Sequence, residues 1–272
     1  MITLKNLRLQ GLLLLLSLLL PQLSKAQGEV KHTDNSFTDN TTVGINFGLG
    51  VPWGFLVDSE LKKEHPSTDL RIKPNLNLRF GVILGYGFPL EDNVKVGPEI
   101  GINYGLKRSL KIEGLDGQYK GNLRFEENCL QIPLALHVSL VDENSFLKER
   151  RFSLGYEFSF FLSSKLTVDD KSEKKPWKDD INLKEKVSDL PRSSGSILIK
   201  STFEFPKGFY FASKLKIPVS IFKTKKHFDH PLDSLNRNNV SEVAKDYVPI
   251  FRIVSTSVAA FDLGINIMKL IF

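Results

Sequence analysis

From residue 75 to residue 107, apolar side chains fall at every second position. Leu76, Leu78, Phe80, Val82, Leu84, Tyr86 and Phe88 form one run, with Asn75, Asn77, Arg79, Gly81, Gly85 and Gly87 in most of the gaps. After residues 89–93 the pattern resumes as Val94, Val96, Pro98, Ile100, Ile102, Tyr104 and Leu106, set against Lys95, Gly97, Glu99, Gly101, Asn103, Gly105 and Lys107. Successive side chains on a strand point to opposite faces, so a period of two predicts two strands joined by a tight turn. The second face is rich in glycine and poor in bulk. That suits the inner wall of a narrow membrane barrel better than the wet face of a soluble sheet.

The same alternation recurs along the chain. A first strand carries Val43, Ile45, Phe47, Leu49, Val51 and Trp53; a fourth carries Leu130, Ile132, Leu134, Leu136, Val138 and Leu140; a fifth carries Phe152, Leu154, Tyr156, Phe158, Phe160 and Leu162. Strands six and seven flank residues 206–208, and a last one holds Phe261, Leu263, Ile265 and Ile267. Eight strands result. Residues 54–73, 108–127, 168–194 and 224–252 read as long polar loops that alternate with short turns, the arrangement of an outer-membrane barrel with long loops outside and short turns in the periplasm. The fold class expected is therefore all-β, an eight-stranded antiparallel transmembrane up-and-down β-barrel over residues 43–272. Phe88, Phe152, Phe205 and Phe209 near the short turns, and Trp53 and Tyr104 near the outer rim, would form interfacial girdles.

Two features break the pattern. Pro98, Pro133 and Pro218 lie in strands, where a missing N–H removes a ladder bond, and are expected at rim bulges. Near the end, Met268, Leu270 and Phe272 share one parity and Phe261, Leu263, Ile265 and Ile267 the other, which calls for a bulge near Lys269.

Residues 1–26 read as a secretory signal, with Lys5 and Arg8 ahead of an apolar core at 11–20 and cleavage after Ala26. That core is shorter than the roughly 20 apolar residues a spanning helix needs. Residues 27–42 would then be a periplasmic segment. The net charge of +6 falls when Lys5, Arg8 and Lys25 leave, because 37 basic residues become 34 against 31 acidic ones, and nucleic acid is not implied as a partner. Cys129 is the single cysteine, which excludes an internal disulfide and argues against a cysteine metal site.

With the signal ending at Ala26–Gln27, the hairpin turning at Phe88-Pro89-Leu90, the strand beginning Cys129-Leu130-Gln131-Ile132-Pro133-Leu134 and the terminal Phe272 in view, the chain resembles the PorT-like outer-membrane β-barrel family of Bacteroidetes. The resemblance implies an eight-stranded barrel in the Gram-negative outer membrane with both chain ends periplasmic. It also implies outer-membrane lipid as surroundings and delivery by the barrel-insertion machinery, with Phe272 as the insertion signal. The family's name-giving member serves type IX secretion, so an envelope protein partner, in a secretion or transport assembly, is a further implication.

Candidate sites follow from parity. Arg79, Glu99, Glu157, Lys200, Glu204, Lys214, Lys216 and Asp262 should point inward, and buried charges persist when paired, so an internal network filling the bore is expected. His137 and Ser139 share a face two residues apart, and with Glu157 on the next strand they could form a hydrolase triad. The plainer reading is an internal polar pair. His227, Asp229, His230 and Asp233 could ligate a divalent ion, or simply be solvated loop residues. No cofactor is called for. The leading function is a non-enzymatic outer-membrane barrel whose loops or turns engage an envelope component. The alternatives are an outer-membrane lipid hydrolase using His137 and Ser139, and a secreted barrel holding a small ligand.

Overall fold

The computed structural model describes residues 37–52, 70–74, 76–114, 121–142, 144–170, 177–183, 191–219, 238, 240–256 and 258–271. The expected signal, Trp53, the histidine and aspartate cluster at 227–233 and Phe272 lie outside the described residues. The strands are β1 (Thr41–Pro52), β2 (Leu70–Pro74), β3 (Asn77–Tyr86), β4 (Phe88–Glu91), β5 (Val94–Gly114), β6 (Gly121–Val141), β7 (Glu149–Asp170), β8 (Trp177–Asn182), β9 (Ser193–Glu204), β10 (Phe209–Pro218) and β11 (Val258–Asn266). Among the described residues the α-helical stretches are α1 (Phe37–Asn40), α2 (Val240–Thr256) and α3 (Ile267–Ile271), and a 3-10 turn spans Pro206–Gly208.

Eight of these strands close a ring. β1, β3, β5, β6, β7, β9, β10 and β11 pair antiparallel in chain order, and β11 returns to β1. The result is a closed eight-stranded antiparallel barrel, matching the eight strands expected from the alternation. β4 prolongs the line of β3 beside β5, while β2 and β8 pair with the far ends of β5 and β7.

The ring is inside out relative to a soluble barrel. Ile45, Phe47, Leu78, Phe80, Ile102, Leu136, Leu154, Ile197, Phe209 and Leu263 are exposed, while Asn46, Arg79, Asn103, Gln131, Ser153, Lys200 and Asp262 are buried. Exposed large apolar residues occur on every one of the eight strands. On β7 this belt runs from Phe152 to Leu162. At about 3.4 Å per residue and a tilt of about 40°, it stands roughly 25 Å tall.

At the long-loop end the faces exchange roles within the same strands. Leu123, Phe125, Leu166 and Val168 turn inward and are at most 2% exposed, while Arg124 and Lys165 turn outward. Here the ends of β5, β6 and β7, flanked by β2 and β8, form a sheet of ordinary polarity. The expected loop 108–127 is therefore mostly strand, and the 168–194 loop contains the end of β7 and all of β8. The expected 224–252 loop ends in α2, whose Val243, Ala244, Tyr247, Val248 and Phe251 are buried. Their spacing is that of one helix face.

The prolines do not sit at bulges. Pro133 pairs with Glu157 of β7 without a register shift; on its other side the β5–β6 ladder skips from Ile100↔Leu134 to Asn103↔Gln131 in the same register. Pro98 faces the break between β3 and β4, again without slippage, and Pro218 ends β10. Each of these residues, lacking an N–H, thus coincides with a gap in the ladder or with a strand end. The register shifts lie instead between Pro89 and Glu91, Gly105 and Arg108, and Asn128 and Cys129.

No bulge forms at Lys269 either. β11 stops at Asn266, whose Oδ1 accepts the Met268 N–H at 3.2 Å in the manner of a helix cap and the Val43 N–H at 3.3 Å. The chain then enters α3, so the parity change marks a change from strand to helix period.

Candidate functional site

The eight inward charges expected from parity are all buried, and they meet across the bore. Asp262 of β11 receives Arg79 of β3 through Nε at 2.8 Å and Nη2 at 2.5 Å, and Lys214 of β10 on its other oxygen. Glu157 of β7 holds Lys216 of β10 at 2.6 Å, and Gln131 accepts from the same ammonium at 3.2 Å. Glu99 of β5 binds Lys200 of β9 and lies 3.7 Å from Arg151 of β7. Lys200 and Lys214 stand directly opposite each other on neighbouring strands, an arrangement that is destabilising by itself. The carboxylates of Glu99 and Asp262 each take one of them, which resolves the conflict.

Glycine makes room for this network. A Cβ on Gly48 would lie 2.1 Å from Asp262 Oδ1 and 2.6 Å from Arg79 Nε, so the central pair needs a position without a side chain.

Each mouth carries a cation supplied by a helix. At the short-turn end Lys269 of α3 reaches Glu204 at 2.5 Å and Glu149 at 3.2 Å, and Glu149 also holds Arg151 at 2.8 Å. Burial works against the Lys269 charge, yet Glu204 and then Glu149 outweigh it and lift its pKa above the ordinary 10.5. At the long-loop end Glu127 of β6 accepts from Arg108 of β5 at 2.8 Å, from Arg252 of α2 at 3.0 Å and from Ser164 at 2.6 Å. The Arg252 guanidinium also lies over the Phe161 ring, 3.9 Å from its centroid, and donates to the Pro191 carbonyl. Burial draws Arg252 below the ordinary guanidinium value, with Glu127 offsetting only part of the effect.

Parity reasoning did not reach Arg108, Glu127, Glu149, Arg151, Arg252 or Lys269. Glu149 and Arg151 share the inward parity of Ser153 but precede the apolar run that marked β7. Arg108 and Glu127 lie beyond register shifts, in stretches that read as loop. Arg252 and Lys269 sit on helices, where strand parity has no meaning.

The proposed hydrolase triad is not assembled. His137 and Ser139 are 3% and 0% exposed inside the barrel, but His137 pairs with Ser153 and Ser139 with Arg151. Glu157 stands opposite Pro133, four residues along from the His137 partner, or roughly 13 Å at strand rise. It cannot orient that imidazole from there, and its carboxylate is engaged by Lys216. Chemically, the interior braces one wall against another.

No protein-family model matches the chain, and no curated protein sequence matches it either.

Proposed function

We propose that this chain is a non-enzymatic outer-membrane β-barrel of the PorT-like type that works by engaging another envelope component through its long-loop end or its short turns. The observation that carries the reading is the apolar belt. A soluble monomer's largest apolar patch is roughly 300–600 Å², whereas this belt occupies all eight ring strands and is roughly as tall as the apolar band of outer-membrane barrels. Its partner in charge is the interior, where cations and carboxylates brace the bore as they must in a closed sheet surrounded by hydrocarbon. The internal network and the dispersed triad residues favour a scaffold over a conduit or a lipid hydrolase.

Fractionation of cells expressing the full chain tests this directly. The expected result is recovery with outer membranes, resistance to alkaline wash, and a folded band in unboiled electrophoresis that shifts on heating. Purification in mild detergent should then bring down an envelope protein in fixed proportion. Release of folded barrel into detergent-free buffer would overturn the membrane reading and favour the secreted small-ligand barrel.

A further inference from the structure

We propose that the short-turn rim between β7 and β9 is a headgroup site for a phospholipid of the surrounding leaflet, with Arg150 taking the phosphate and the Phe146–Phe205 pair lying against the glycerol and upper acyl chains. The inference rests on the membrane reading of the barrel. Three consecutive charged residues open β7, and strand alternation divides them. Glu149 and Arg151 turn inward and pair with each other at 2.8 Å, while Arg150 turns outward and is exposed. It shares that face with Phe152, where the apolar belt on β7 begins. Its neighbours across the strands are Leu140 of β6 and Phe203 of β9, so the cation is set into an apolar surround.

Three observations point to a phosphate. First, among the described residues Arg150 makes no ion pair. Glu149 faces the bore, held by Arg151 and Lys269, and Asp142, two residues beyond Leu140, accepts the Asn144 N–H at 3.1 Å within its own turn. Second, the depth is right. Arg150 lies two residues beyond Phe152, or about 5 Å further along the barrel axis at strand rise and a tilt of about 40°. That is past the hydrocarbon and within a headgroup layer roughly 5–8 Å thick on each side. An outward arginine is destabilising at mid-bilayer but tolerated at this level, where its paired donors match phosphate oxygens. Third, the adjoining surface is aromatic and uncovered. Phe146, on the turn between β6 and β7, is 73% exposed and packs on Phe205 with ring centroids 5.5 Å apart. Phe205 follows Phe203 on the same face and stands diagonal to Arg150, about 7–8 Å away. Rings so placed fit the boundary between hydrocarbon and headgroups. Two residues past Phe205, the exposed Lys207 adds positive charge, whereas the β4–β5 turn carries Glu91 and Asp92.

For the test, the full-length barrel is purified in mild detergent and offered phosphatidylglycerol or a glucosyl diacylglycerol with the same acyl chains, and retained lipid is read by native mass spectrometry. Expected is at least fivefold greater retention of phosphatidylglycerol, falling to within twofold of the phosphate-free lipid in Arg150→Gln while the folded band in unboiled electrophoresis persists. A second measurement needs no substitution. Phosphatidylglycerol carrying a photoreactive group beside its phosphate should label residues 140–150 and 203–209 at least threefold more than residues 88–94. Equal retention of the two lipids by the unaltered chain, a preference that survives Arg150→Gln, or labelling spread evenly over the short turns would each overturn the proposal and leave Arg150 a solvated rim charge. Fractionation decides the membrane reading by itself, so a barrel that stays with membranes yet shows no phosphate preference sinks this site alone.

Discussion

Asp262→Asn keeps the shape of the side chain and deletes the charge that two buried cations share. Arg79 and Lys214 have side chains 6% and 2% exposed, and Asp262 is fully buried between them. At an effective dielectric constant near 20, one unit pair 4 Å apart attracts by about 4 kcal/mol. Removing Asp262 forfeits two such attractions but also relieves the burial of a carboxylate, and breaking a buried pair in this way typically costs about 3–5 kcal/mol. With a urea dependence of about 2–3 kcal/mol per molar, the unfolding midpoint in micelles should fall by roughly 1–2 M. The fluorescence of Trp53 and Trp177, the two tryptophans, would follow the transition. Adding Lys214→Met to Asp262→Asn should restore part of the loss, since one stranded cation is gone. The control is Arg124→Gln, which breaks a pair of similar length, 2.6 Å to Glu126, on the outer wall where the two side chains are 50% and 25% exposed. Pairs of that kind contribute about 0–1 kcal/mol. Equal midpoint shifts for Asp262→Asn and Arg124→Gln would refute the argument from burial.

The other outcomes concern packing, proline and pH. Gly48→Val should push Arg79 off Asp262 and lower stability by about 1–3 kcal/mol, an overpacking cost read in the same urea assay. Pro133→Ala should change stability by no more than about 1.5 kcal/mol, the net worth of the one ladder bond that a restored N–H can add in the gap opposite it. Lys269 has a pKa raised on folding, so its contribution is fully present below the ordinary 10.5 and fades as pH climbs beyond that value. Limited proteolysis should therefore find α3 protected at pH 8 and cut more readily as the pH is raised past the ordinary lysine value, with Glu204→Gln exposing it in both ranges.

The ring was legible because eight runs of alternating polarity are long enough to resist ambiguity, and because an inward parity carries its charges along with it. Arg79, Glu99 and Asp262 could each be placed by counting. Counting fails at a register shift: on β7 the inward residues are Ser159 and Phe161, then Ser164 and Leu166, with both Leu162 and Ser163 outside. It fails again where polarity inverts. Beyond Glu127 the apolar residues face inward, so Leu123 and Phe125 between Asn122, Arg124 and Glu126 looked like a loop with scattered hydrophobics rather than a strand serving a second small core. The helical spacing from Val243 to Phe251 was present in the sequence as well, hidden by the expectation that a polar connection carries no structure. Glu157 misled for a different reason, since its neighbour across the strands depends on register, which alternation alone does not set.

The seam between β1 and β11 also sets the tempo of assembly. It joins groups 223 residues apart, Val43 to Asn266, and closing a loop of that length costs about 5 kcal/mol in chain entropy by the logarithmic rule. Contacts of such separation form late, after the local hairpins. Until they do, the sheet has two unpaired edges, and its apolar face has no stable shape to present. The slow species on the way to this barrel is accordingly an open sheet with β1 and β11 apart, and its lifetime, more than the stability of the finished ring, governs how much chain is lost to aggregation.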